Sequence, residues 1–171
     1  MSDELDLWGT TAIKASGVAP GSAAASATEL RANIMAMTQT AEDAVLRPAE
    51  PGRWSHGLRA ALAGRIARLN DCPQLAEHYL ALPGADDYLE LADPAAGEVP
   101  ADLKACLTFV DRVATQPADI TAEDIRVLQD AGVADADIVR LSELNAFLGY
   151  QIRLVVGLSL LSGSNETEAG A

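Results

Sequence analysis

The chain has 171 residues, of which 49% are hydrophobic and only 4% aromatic. That length suits one domain with a sizeable core, and the many alanines favour helix. Its 12 Lys and Arg against 25 Asp and Glu leave a formal net charge of −13, which argues against nucleic acid and anionic membrane surfaces as partners, since both require clustered cations. The N-terminal MSDELDLW has no basic region ahead of an apolar one, so no secretory leader is expected. The longest mostly apolar run, Leu154 to Leu161, is interrupted by Gly157 and Ser159 and is too short to span a bilayer. A cytoplasmic location is expected, and in a reducing compartment the two cysteines read as thiols and not as a bridge.

In chain order, residues 1–25 read as a Gly-, Ala- and Ser-rich arm with a short helix near Leu7–Lys14 and a turn at Pro20-Gly21. Residues 26–161 read as the helical domain. Ser26 and Glu29 have capping-box spacing, and Leu30, Ile34, Met37, Ala41 and Val45 follow at helical intervals up to Pro48. Ser55 caps the next helix, with Leu58, Leu62, Ile66 and Leu69 on one face and Arg59, Arg65 and Arg68 on or near the other. Asn70-Asp71 breaks it. Pro73 at the first helical position makes Cys72 the N-cap of a following helix that stops at Pro83-Gly84.

Residues 84–99 read as an acidic, irregular connection carrying Asp86, Asp87, Glu90, Asp93 and Glu98. Pro100 opens a helix with Leu103, Leu107, Val110 and Val113 on one face and Cys106 beside them, and Pro117 follows its end. Thr121 caps a short helix ending near Gly132. Asp135 caps the longest helix, expected to reach about Leu161, with Ile138, Leu141, Asn145, Leu148, Ile152, Val155 and Leu158 inward. Residues 162–171 read as a disordered tail. No segment alternates with period two, so the expected fold class is all-α with about six or seven helices.

Few residues suggest chemistry. A thiol at a helix N-terminus has a lowered pKa, and Arg68 lies one turn back, so Cys72 is a candidate reactive thiolate; the alternative is a small buried cap. Cys106 reads as core. His78 beside Glu77 suggests acid–base work, but adjacent helical residues point about 100° apart, which favours a solvated or salt-bridged surface pair. His78 is also six residues from Cys72, about 240° around the helix, so it points away from the sulfur. His56 has no assigned role. Arg153, between Ile152 and Leu154, needs a partner and reads as a structural ion pair in preference to a substrate-anion anchor. Two isolated histidines and scattered carboxylates give no metal-ligand spacing, and no phosphate loop or cofactor motif occurs.

The order of pieces resembles the carboxymuconolactone decarboxylase/AhpD-like superfamily, in particular its peroxidase-related CMD domain branch. The likeness spans roughly residues 15–160: an AP-GS arm, the helix–break–Cys72 helix, and the ITAEDIRVLQDAGVADADIVRL…NAFLGYQIRLVVGL ending. It implies an all-α fold, self-association as a dimer, trimer or hexamer, and peroxidase chemistry. That family's motif is a Glu in the helix before the break, then Cys-x-x-Cys-x-x-x-His. Here the second Cys is Leu75, the His is Tyr79, the Glu position falls at Ala60, and no carboxylate lies between Pro51 and Asn70. The face that would carry two sulfurs and an imidazole is mostly apolar. Three functions follow: a peroxidase-related oxidoreductase acting through Cys72 with an external thiol, with dithiol activity impaired or lost; a non-catalytic binding or scaffold protein with an apolar pocket for a small molecule near Cys72; or, least supported, a lactone decarboxylase or isomerase.

Overall fold

A computed structural model describes residues 6–95 and 99–168, without the side chains of 101, 102 and 164–168. Residues 1–5 of the arm, Glu98, and residues 169–171 of the tail therefore lie outside the described residues. Every regular element among those described is helical: α1 (Thr11–Ser16), α2 (Ala23–Glu29), α3 (Ala32–Leu46), α4 (His56–Leu69), α5 (Pro73–Leu80), α6 (Ala101–Thr115), α7 (Ala122–Asp130) and α8 (Asp135–Glu168). Short 3-10 turns occur at Leu7–Gly9, Asp86–Tyr88 and Pro117–Asp119. The all-α fold class read from the sequence holds.

The α4–α5 hairpin sits at the centre. Asn70 closes α4, and Asp71 takes a left-handed conformation at φ 53°, which an Asx residue tolerates better than most. Cys72 is the N-cap and Pro73 opens α5, as read from the sequence. Two glycines let the hairpin close. A Cβ on Gly57 would lie 2.2 Å from the Gly84 carbonyl oxygen, and one on Gly64 would lie 2.8 Å from Leu80. Helix α8 packs across α1, α3, α4 and α6. Between them lie Trp54, Leu62, Ile66, Leu75, Leu141, Leu144 and Leu148, all almost fully buried.

Several local expectations are corrected. Helix α4 is buried on all sides from Gly57 to Ala67, including Arg59 and Arg65. Burial is possible because every polar end is met: Arg59 donates to the carbonyls of Trp54, Val45 and Pro51. Arg65 makes a two-pronged pair with Asp111 at 2.5 and 2.6 Å and also donates to Leu91 and Asp93 carbonyls. Ser22, not Ser26, caps a separate helix before α3 by accepting from the Ala25 amide. Ala12, Ile13 and Val18 of the arm join the main core. The long helix continues past Leu161 to Glu168, with neither proline nor a positive-φ glycine to break it. From Asp135 to Gly163 it is long and apolar enough, by length and composition, to cross a membrane, which the run Leu154–Leu161 alone is not.

Candidate functional site

The inward face of α3 is not the one its larger apolar residues suggest. Met37 is 66% exposed, and Leu30, expected on the same helix but ending α2 instead, is 84% exposed, whereas Met35, Thr38, Glu42 and Leu46 are buried. Glu42 is thus a carboxyl group at 1% exposure, and three other elements supply its surroundings. Isolated, such a group would be costly to bury, so its partners decide whether the arrangement stands.

Helix α1 supplies Thr11. Its backbone amide, an orphan donor of the first turn, reaches the Gln39 side-chain oxygen at 2.9 Å. Its hydroxyl donates to Glu42 Oε1 at 2.6 Å and lies 3.1 Å from His78 Nε2. From α8, Gln151 Nε2 donates to Glu42 Oε2 at 2.7 Å. Helix α5 supplies His78, whose Nε2 is 3.9 Å from Glu42 Oε1, and Tyr79, whose ring stands edge-on to the imidazole with centroids 5.3 Å apart. The Tyr79 hydroxyl and Gln151 Oε1 are buried and make no hydrogen bond of good geometry among the described residues, although Gln151 and Glu42 both stand close enough to the phenol to influence it. Unsatisfied buried polar atoms are rare enough to suggest a working site.

The electrostatics favour neutral forms throughout. Burial raises the Glu42 carboxyl above its ordinary value, and the hydrogen bonds from Thr11 and Gln39 offset only part of that. Burial lowers the His78 imidazole, with the charges of Lys14 and Arg47 adding to the effect. Thr11 thus joins Glu42 and His78 by hydrogen bonds, with His78 Nε2 3.9 Å from Glu42 Oε1, and burial disfavours the charged form of each. The two shifts are opposite in sign, the carboxyl upward and the imidazole downward. Burial drives the Tyr79 phenol far up, and the proximity of Glu42 acts in the same direction while Gln151 opposes it. His78 is the outer end of the cluster: it is half-buried and lines a surface cleft with Lys14, Ser16, Gln74, Glu77 and Ser159.

Cys72 shares a face of α5 with Leu75 and Tyr79, as the spacing requires. It is 2% exposed. Burial pushes its thiol up, and the Leu75 amide offsets part of that rise. The sequence expectation of a thiol lowered by the helix N-terminus is therefore reversed: desolvation outweighs the few aligned amides. Arg68 is turned to the Ala92 carbonyl. Cys106 is in the core, as read, and neither cysteine is in a disulfide.

The structure moves His78 from the surface into the cluster and leaves Glu77 exposed. His56 is exposed against the Pro48 carbonyl. Arg153 is exposed and bonded to the Gly149 carbonyl, with no ion pair among the described residues, because α8 turns that flank outward. No group of three or more metal-binding side chains occurs among the described residues. Sequence reasoning missed Glu42, Thr11 and Gln151. The one available signal was an acidic residue, Glu42, seven positions after Met35 in a helix, hence on the same face. No model of a known protein family matches the chain, and neither does any curated protein or solved structure.

Proposed function

We propose that the chain is a thiol-dependent oxidoreductase acting on a hydroperoxide, with Cys72 as the thiol and Glu42, Thr11 and His78 as its proton relay. The observation that carries this reading is the buried Glu42–Thr11–His78 couple, whose imidazole stands edge-on to Tyr79, the residue that shares the Cys72 face of α5. The resemblance of the chain to the AhpD-like superfamily points the same way.

Cys72 rests as a neutral thiol. In this reading the Cys72 proton is taken up on the Tyr79 side of the cluster, and His78, at the edge of the surface cleft, exchanges protons with solvent. The thiolate attacks the terminal peroxide oxygen. The S–O bond forms as the O–O bond breaks, and the departing alkoxide takes a proton from the relay to leave as an alcohol. An external thiol then displaces water from the sulfenic acid, and a second external thiol releases Cys72 and a disulfide. No second cysteine need lie beside Cys72 in this cycle.

A second reading, a non-catalytic binding protein, is favoured by the near-complete burial of Cys72 and its raised thiol pKa. The deciding experiment is alkyl hydroperoxide turnover with dithiothreitol for the native chain, Cys72→Ser and Glu42→Gln. The oxidoreductase reading expects no turnover for Cys72→Ser and a loss of about a hundredfold for Glu42→Gln, the usual scale of positioned acid–base help. Background rates for all three proteins contradict it and leave the binding reading.

A further inference from the structure

A second flank of α8 carries features the Glu42 cluster does not use. Ser142, Asn145, Gly149, Ile152 and Arg153 face a cleft of about 360 Å³ between α8, the end of α4 and the end of α6. That volume is within the range of small-molecule sites, roughly 300–1,000 Å³. The opposite wall is mostly apolar, including Ile66, Val113 and Pro117, and its one polar side chain, Asn70, has its amide nitrogen turned to the carbonyls of Ile66 and Ala114. Gln151, which holds Glu42, is six residues from Asn145 and so about 120° away around the helix, which places the cleft apart from the Glu42 cluster.

Two observations show a built site. The first is Asn145. It is 4% exposed, its amide nitrogen donates to the Leu141 carbonyl at 3.2 Å, and its side-chain oxygen has no partner among the described residues. A buried acceptor left unmade costs about 1–3 kcal/mol, and leucine in its place would avoid that cost. The second is charge. In a chain of net charge −13, Arg153 is the only charged residue lining the cleft among the described residues. It stands at the exposed edge with one nitrogen on the Gly149 carbonyl at 2.6 Å, leaving the rest of its fork for an anion.

The spacing sets the ligand's shape. Arg153 is folded back to Gly149 and Asn145 to Leu141, so the two polar groups are tied to carbonyls eight residues apart. Eight residues rise about 12 Å along a helix. One compact group cannot meet both. We infer that this cleft binds a small elongated carboxylate that carries a hydroxyl or amine hydrogen at its far end. The carboxylate pairs with Arg153, the distal hydrogen goes to the Asn145 oxygen, and the body lies against Ile66 and Val113. Gly149 keeps the passage between them open: the nearest atom a Cβ there would meet is Arg153 Nη1, at 3.1 Å.

The test is calorimetric titration of the full chain with para-hydroxyphenylacetate, phenylacetate and para-hydroxyphenylacetamide. The hydroxy acid is expected to bind about tenfold more tightly than either analogue, the scale of one hydrogen bond to a charged or buried group. Arg153→Gln should make the acid and the amide equal, and Asn145→Leu should make the hydroxy acid and its deoxy analogue equal. Arg153 is exposed, so its variant keeps the fold, and unchanged or higher melting of Asn145→Leu confirms that its oxygen is unpaired in the empty protein. Absence of hydroxy-acid binding overturns the inference, as does binding that ignores both substitutions.

Discussion

Glu42 shows how much one enclosed carboxyl can decide. Its folded-state pKa lies above the unfolded value of 4.5, so folding retains a proton that unfolding releases. Its contribution to stability is therefore full below pH 4.5 and is lost as pH rises through the folded value. His78 has the opposite sign: its contribution is present above 6.5 and is lost as pH falls through its lowered folded value. Glu42→Gln removes the first effect alone. The substitution is tolerable because Gln151 can turn its unpartnered oxygen to the new amide. In urea unfolding at a series of pH values, Glu42→Gln should gain stability relative to the native chain as pH rises above 4.5. The slope is at most about 1.4 kcal/mol per pH unit for one proton. Parallel curves for the two proteins would mean that Glu42 is ionised when folded. None of this was legible in the sequence. A helical period assigns Glu42 to a face but does not say that Thr11 and Gln151, 31 and 109 residues away, will meet it.

At the scale of the element, the readings that held rest on local chemistry. Pro73, Cys72 and the Asn70-Asp71 break define the α4–α5 junction by backbone rules that need no knowledge of distant partners. The readings that failed depend on packing. On α3 the large apolar Met37 faces water while Thr38 and Glu42 face inward, because the inner partners are polar. On α4, Arg59 and Arg65 are buried because loop carbonyls and Asp111 await them. Close backbone approaches are likewise invisible in a sequence. Gly57→Ala would place a Cβ against the Gly84 carbonyl and should lose about 1–3 kcal/mol by overpacking. Gly157→Ala on exposed α8 meets nothing within 4 Å and should gain up to about 1 kcal/mol from helix propensity. Thermal melting of the two variants checks both signs, and equal shifts would contradict the close approach at Gly57.

For the whole molecule, α8 is the organising element. One flank gives Gln151 to the Glu42 cluster, another forms the Arg153 cleft, and a third leaves Tyr150, Val156, Leu160 and Leu161 at the surface. The buried stripe of Ile138, Leu141, Asn145, Leu148, Ile152 and Val155 was readable from its spacing, because a long regular helix repeats its signal many times. The site was readable only in part: Cys72 and His78 stood out by residue type, but the groups that join the imidazole to a carboxyl come from α1, α3 and α8. The most direct test of the relay is the rate at which Cys72 forms sulfenic acid on addition of an alkyl hydroperoxide, trapped with dimedone and quantified by mass spectrometry. The account predicts rapid trapping at Cys72 in the native chain, slower by about a hundredfold in Glu42→Gln. Equal rates in the two proteins, or trapping no faster than for a simple buried thiol, would contradict it.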